Sequence, residues 1–279
     1  MKLPFDSPDT PPPTPTSHNF PKMSLDLTGT KVVSSKPVSV LSGQNRTNLS
    51  GVGCKSHILE QMPPDGNWGK TFILVHLPNQ TAGDYYRFVA KEPMTVVTLG
   101  GGGAGGGVPT VLKIQYAGDF AEYDLADGQF VYASSNKPVL VAQYTREQGW
   151  NSDGDYAKGD PSLLVLSALE NARDVYYFVL NKKEDKDVFV VFTVRQQDQL
   201  SLKINGQDLS SRNVTWDPVD GASDYVVGHL ALEEADLPCT LGQVGGPTFN
   251  AHVYYSTFCE CWAMSLTHGQ PQVSGEICT

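Results

Sequence analysis

The 279-residue chain has no run of 18 or more apolar residues, so no helix of it is expected to span a bilayer. Charge is scarce: only 18% of residues are Asp, Glu, Lys or Arg, and the formal net charge is -10. A surface of that sign repels phosphate backbones and anionic lipid, which argues against nucleic acid and membrane as partners. Helical periodicity is missing too. No stretch of 12 or more residues carries an i, i+3, i+4, i+7 apolar stripe between caps. Residues 230–235 have room for a helical turn or two before Leu237-Pro238 stops it. Catalytic signatures are also lacking: neither Gly-x-Ser-x-Gly nor His-Glu-x-x-His occurs. His57, beside Glu60 and Gln61, comes nearest to an acid–base arrangement and reads as a polar loop residue before Pro63-Pro64. The chain is therefore expected to be non-enzymatic, without a metal or other cofactor. A secretory leader is not visible either, because Met1-Lys2-Leu3-Pro4-Phe5 runs straight into Asp6, Asp9 and a proline tract.

Glycine and proline, by contrast, are abundant, at 27 and 19 residues. Between them lie short runs of branched and aromatic residues. Thr71-Phe72-Ile73-Leu74-Val75, Tyr85-Tyr86-Arg87-Phe88-Val89 and Val188-Phe189-Val190-Val191-Phe192 are representative, as are Val38-Ser39-Val40-Leu41, Val111-Leu112-Lys113-Ile114 and Val139-Leu140-Val141-Ala142. Runs of four to seven such residues bounded by turn formers predict an all-β fold. Residues 1–24 form a Pro-, Ser- and Thr-rich leader that is expected to remain disordered.

An internal repeat organises the rest. Val32-Val33-Ser34-Ser35-Lys36-Pro37-Val38-Ser39-Val40 returns as Val131-Tyr132-Ala133-Ser134-Ser135-Asn136-Lys137-Pro138-Val139-Leu140-Val141. Downstream, residues 69–75 align with 174–180, and 86–90 with 189–193. Proline lacks an N–H and suits a strand start or an edge, so each unit is expected to place a proline corner between two strands. The expected division is 25–128, 129–212 and a partial unit at 213–279 with a Cys-rich end. Antiparallel β-sandwich-like units in tandem are the expected architecture, with a β-propeller-like arrangement as the alternative.

These residues carry a family resemblance. Asp26-Leu27-Thr28-Gly29-Thr30-Lys31-Val32-Val33-Ser34-Ser35-Lys36-Pro37-Val38 resembles the recurring signature of the IgGFc-binding protein N-terminal family. The likeness continues through His57-Ile58-Leu59-Glu60-Gln61-Met62-Pro63-Pro64, Trp68-Gly69-Lys70-Thr71-Phe72, Ala82-Gly83-Asp84-Tyr85-Tyr86-Arg87-Phe88 and Gly159-Asp160-Pro161-Ser162-Leu163. Phe249-Asn250-Ala251-His252-Val253-Tyr254-Tyr255 is similar to the family's closing segment. The resemblance implies a secreted or cell-surface glycoprotein module that binds extracellular proteins or glycans, in mucus, matrix or adhesion. It also implies a truncated member, beginning mid-domain and lacking a partner for Cys54 in the 44–53 loop. A purely structural spacer, or a glycan-active enzyme on a β scaffold, are the competing readings.

Two residue patterns point outside the cell independently. Asn-x-Ser/Thr sequons stand at Asn45, Asn48, Asn79 and Asn213, each a candidate glycan acceptor. Four of the five cysteines, Cys239, Cys259, Cys261 and Cys278, crowd the C-terminal region and read as disulfide candidates, leaving Cys54 as the candidate free thiol. With His252 and His268 nearby they resemble zinc ligands only loosely, because Cys259-Glu260-Cys261 lacks knuckle spacing. The glycine stretch at 100–107 reads as a flexible hairpin connection, since no Gly-Lys-Ser/Thr follows it. Asp153-Gly154-Asp155 reads as a solvated turn, lacking the distal Glu of a calcium loop. Trp68, Trp150, Trp216 and Trp262 read as packing anchors.

Overall fold

The computed structural model describes residues 26–49, 55–78, 80, 83–101, 107–146, 159–180, 187–257 and 260–266. Trp150, Asp153, Asp155, Asn79, Cys54, Cys259, His268 and Cys278 lie outside the described residues. The architecture is all-β and antiparallel, and the short runs of branched and aromatic residues predict the all-β class.

Strands β1 (Leu41–Thr47) and β2 (Ser56–Gln61) pair as a ribbon. The next seven belong to one sheet: β3 (Gly69–Val75), β4 (Asp84–Ala90), β5 (Thr95–Leu99), β6 (Thr110–Ile114), β7 (Phe120–Leu125), β8 (Phe130–Thr145) and β9 (Ser162–Leu166). The 16-residue β8 folds that sheet over on itself. Its first half, residues 130–135, lies between β3 and β5, and β6 extends beyond β5. Its second half, residues 139–145, lies between β4 and β9, and β7 extends beyond β4. Residues 136–138 join no ladder, so Pro138 sits where a missing N–H costs nothing. The result is a nearly closed, barrel-like sandwich with Phe72, Leu74, Tyr86, Phe88, Leu99 and Val141 inside. The glycine stretch connects β5 to β6 as an antiparallel hairpin, although residues 102–106 lie outside the described set.

A second sandwich follows, built from β10 (Val175–Phe178), β11 (Asp187–Arg195), β12 (Lys203–Ile204), β13 (Gln207–Asp208), β14 (Thr215–Pro218), β15 (Tyr225–Ala231), β16 (Cys239–Gly242), β17 (Asn250–Thr257) and β18 (Glu260–Ser265). The five-stranded sheet β14-β15-β11-β17-β18 faces the four-stranded sheet β10-β16-β12-β13. Tyr176, Phe192, Leu241, Phe249, Val253 and Tyr255 fill the space between them. Trp216 meets Phe192 edge-on at 5.4 Å, and Trp262 meets Tyr255 at 5.0 Å, so both serve as packing anchors. Gly228 lies beneath the first pair, where any Cβ would collide with both rings. The helical turns allowed at 230–235 do not form. Leu230 and Ala231 continue β15, and only a single 3-10 turn, Glu234–Asp236, follows, closed by a capping box from Glu233 and Asp236.

The two sandwiches are wired alike. In the first, β8 pairs with β3 and β5 and then with β4 and β9. In the second, that role is divided: β16 pairs with β10 and β12, and β17 with β11 and β18. Likewise β7 on β4 matches β15 on β11, and β6 on β5 matches β13 on β12, while β14 is an additional edge strand. The β1–β2 ribbon has the pairing of the β8–β9 and β17–β18 hairpins.

This wiring explains why the two Lys-Pro-Val copies behave differently. Residues 131–141 are strand because β3, β5, β4 and β9 satisfy their backbone groups. Residues 32–40 have no such neighbours among the described residues and form largely exposed coil rather than the expected strand–corner–strand. The sequence-derived register also needs a one-residue correction. Aligning 69–75 with 174–180 sets Phe72, which points inward, against Tyr177, which points outward; Tyr176 is the inward match. A slip of one residue exchanges the two faces of a strand.

Candidate functional site

Two cores would suffice for two independent domains, but a third apolar layer joins them. Ile73, Val75 and Leu77 from β3 and its exit, Phe130 from β8 and Leu164 from β9 meet Val191, Val227, Tyr254 and Ala263 of the five-stranded sheet. Backbone bonds cross the same seam: Tyr132 donates to the Asp220 carbonyl, and Asp220 donates to the Phe130 carbonyl, both at 2.8 Å. Asn250 Nδ2 donates to the Ser167 and Ala168 carbonyls at 2.8 and 3.1 Å, and Gln80 Nε2 donates to the Tyr254 hydroxyl. Contacts of this kind, repeated along an interface, hold the sandwiches as one block.

A charged point beside the seam is His76, the residue that follows β3. Its Nε2 faces the Gln80 carbonyl at 2.9 Å and Asp127 at 3.0 Å. Its Nδ1 lies 3.2 Å from the buried Asp84 carboxylate, which also accepts the Leu77 N–H. Both ring nitrogens therefore meet oxygen acceptors, a setting that suits the imidazolium. Burial alone pushes His76 down, but Asp84, the Gln80 carbonyl and Asp127 outweigh it and hold the ring above its usual value. His229, across the seam against the Phe130 ring, moves the other way: burial lowers it, and the charge on His76 adds to that.

A pH dependence follows from His76. Because its folded value is raised, its stabilisation is complete below the unfolded value of 6.5 and is lost as pH rises through the folded value. His76→Gln should remove that contribution. Urea unfolding between pH 5.5 and 9 should show the wild type most favoured over the variant at the acid end, with the gap closing on the alkaline side. An equal gap at every pH would mean that folding does not shift the titration of His76.

A second polar line joins the ribbon to both sandwiches. Ser56 of β2 donates to Asp160 at 2.5 Å, Thr145 donates to the Asp160 carbonyl at 2.8 Å, and Thr145 and Ser162 share a bond of 2.9 Å. Cys261 Sγ lies 3.7 Å from the Thr145 hydroxyl. At the far side of the first sandwich Arg87 lies over the Phe120 ring at 4.2 Å and pairs with Glu122 at 2.8 Å and Asp26 at 3.1 Å. That cluster ties the coil before the ribbon to β4.

The residues singled out from the sequence are scattered rather than convergent. Asn45 lies exposed on β1, Asn48 is half-buried just after it, and Asn213 is exposed ahead of β14. Cys239 and Cys261, the two described cysteines, are not bonded to each other and lie on different faces of the second sandwich. Burial pushes Cys239 up to about 12, and it pushes Cys261 up as well, which makes both poor nucleophiles. His57 is exposed in β2 rather than on a loop, and Trp68 packs under the ribbon. Among the described residues no three His, Cys, Asp or Glu side chains are grouped as metal ligands. A shallow open depression is lined by Arg195, Gln196, Gln197, Ser223 and Asp224, with Arg195 and Asp224 paired at 2.8 Å. Its lining is polar and carries one carboxylate among those residues, unlike the paired carboxylates of a glycosidase groove. No helix among the described residues is long and apolar enough to cross a membrane.

Fold and seam together define a protein of stacked, similarly wired β-sandwiches. The chain belongs to the IgGFc binding protein family, whose match extends over residues 22–254 and so takes in the first sandwich and the second as far as the middle of β17. The human IgGFc-binding protein is 27% identical over 261 residues, covering 91% of this chain. The chain spans about 4% of that relative's length. A UDP-N-acetylmuramate–L-alanine ligase from Dictyoglomus turgidum is 26% identical over 160 residues, covering 56% of this chain and 34% of the ligase. No solved structure matches.

Proposed function

We propose that the chain is a non-catalytic binding module of an extracellular glycoprotein, acting in mucus, matrix or cell-surface adhesion on other proteins or glycans. Membership of the IgGFc binding protein family carries this reading, since the match over residues 22–254 spans the first sandwich and most of the second. The human relative is named for binding IgG Fc, which makes immobilised IgG Fc the first ligand to test and mucin-type glycans the second. Saturable binding to either supports the module. Failure of both favours the spacer reading, which the bonded seam supports in its own right.

The extracellular part of the proposal has a separate test. Exposed sequon asparagines are accessible to glycan transfer, whereas a half-buried one is less so. Secreted from mammalian cells behind an added leader, the chain should carry glycan at Asn45 and Asn213. Peptide mapping before and after enzymatic deglycosylation reads this directly, and bare asparagines at both positions would count against the assignment. The same sample, digested without reduction, reports whether any of the five cysteines are paired.

A further inference from the structure

The seam has one half left over. On the first sandwich the outward residues of β3, Ile73 and Val75, are 3% and 0% exposed, because the five-stranded sheet of the second lies on them. The matching outward residues of the second sandwich are Tyr177 in β10 and Val179 just after it, and they are 70% and 74% exposed. Their inward neighbours Tyr176 and Phe178 are buried like Phe72 and Leu74, which fixes the comparison residue by residue. The β10 edge is also unguarded among the described residues. Val175-Tyr176-Tyr177-Phe178 contains no charge, and β10 pairs only with β16 among the described strands. On β3 the corresponding edge is closed by Glu170, which accepts the N–H groups of Lys70 and Thr71 at 3.0 and 3.1 Å.

The complementary face lies at the other end of the molecule. The first sandwich turns Val89, Leu140, Ala142 and Val165 outward from β4, β8 and β9, in the position of the sheet that receives Ile73 and Val75 within the chain. That face is covered by the chain's own ribbon, with Ile58 of β2 packed on it as Leu164 of β9 packs into the seam.

We propose that the outer face of β10 and β16 docks the first sandwich of a second copy of this chain in the geometry of the internal seam, and that the β1–β2 ribbon caps the receiving face and holds the chain as a monomer. Such a contact joins two different faces and does not close on itself, so uncapped copies add head to tail into open chains. Capping the terminal unit of a stack is the general means by which repeat proteins stay soluble.

The experiment uses the full chain. Ile58→Asp places a charge under the ribbon and should lift it, leaving the two sandwich cores intact in hydrogen exchange. Sedimentation velocity should then show dimers and larger species at concentrations where the wild type sediments as a monomer. Adding Tyr177→Glu to Ile58→Asp should return the chain to monomer. If aspartate costs the first sandwich its fold, Ile58→Ala loosens the ribbon more gently and is read in the same way. An open ribbon with no self-association would overturn the proposal. So would oligomers that ignore Tyr177→Glu, because the exposed apolar face of the first sandwich would then be aggregating without the partner surface.

Discussion

Phe192→Ala should lower the unfolding free energy by about 3–5 kcal/mol, the usual cost of emptying an aromatic site in a packed core. Phe192 is fully buried at the centre of β11, paired on both sides by β15 and β17. Its ring supports Trp216 edge-on, and Gly228 leaves no side chain able to collapse into the space. Relaxation is therefore limited, which places the loss toward the upper end of that range. A domain of ordinary stability has only about 5–15 kcal/mol to lose, so this change alone brings the second sandwich close to unfolding. Urea titration followed by tryptophan fluorescence is the measurement, and a loss below about 1 kcal/mol would contradict the packing described.

Arg212→Ala should cost about 3 kcal/mol, at the lower end for breaking a buried ion pair, because Arg212 retains some exposure. Its guanidinium donates to both Asp236 oxygens, at 2.7 and 2.8 Å, and Asp236 also accepts the Glu233 N–H that closes the 3-10 turn. Removing the cation leaves a nearly buried carboxylate with part of its hydrogen bonding gone. The diagnostic is the double variant. Arg212→Ala with Asp236→Ala should be more stable than the sum of the two single losses, because no uncompensated charge remains. Strict additivity in denaturant melts would show that the pair is already well solvated.

The strands were legible where local pattern and burial agree. The runs containing Phe72, Tyr86, Leu112, Val141 and Phe192 all fall inside β3, β4, β6, β8 and β11. The run at Val38 contributes only Leu41 to a strand, because a strand needs neighbours that no local pattern encodes. The inner register failed for a related reason. Both faces of β3 and β11 are apolar, one serving a core and the other the seam, so alternation gave no sign of which residue points inward. His76 was legible in principle, as a lone histidine within Phe72-Ile73-Leu74-Val75-His76-Leu77. Its partners Asp84 and Asp127 stand at the start of β4 and on the turn before β8, and only the fold brings them together. The unbroken length of β8 was hidden by Pro138, a residue that ends most strands and is tolerated here at the changeover between partners.

That crossing strand also sets the order in which the protein can be made. Among the described strands β3 has no ladder partner except β8, and β4 gains its second neighbour from the far half of β8. At translation speeds of roughly 5–20 residues per second, β3 leaves the ribosome roughly 3–12 s before its partner does. Throughout that interval Phe72, Ile73, Leu74 and Val75 form an apolar strand with unpaired backbone, the kind of segment that chaperones bind. The second sandwich, emerging behind a finished neighbour, can assemble against a surface already in place.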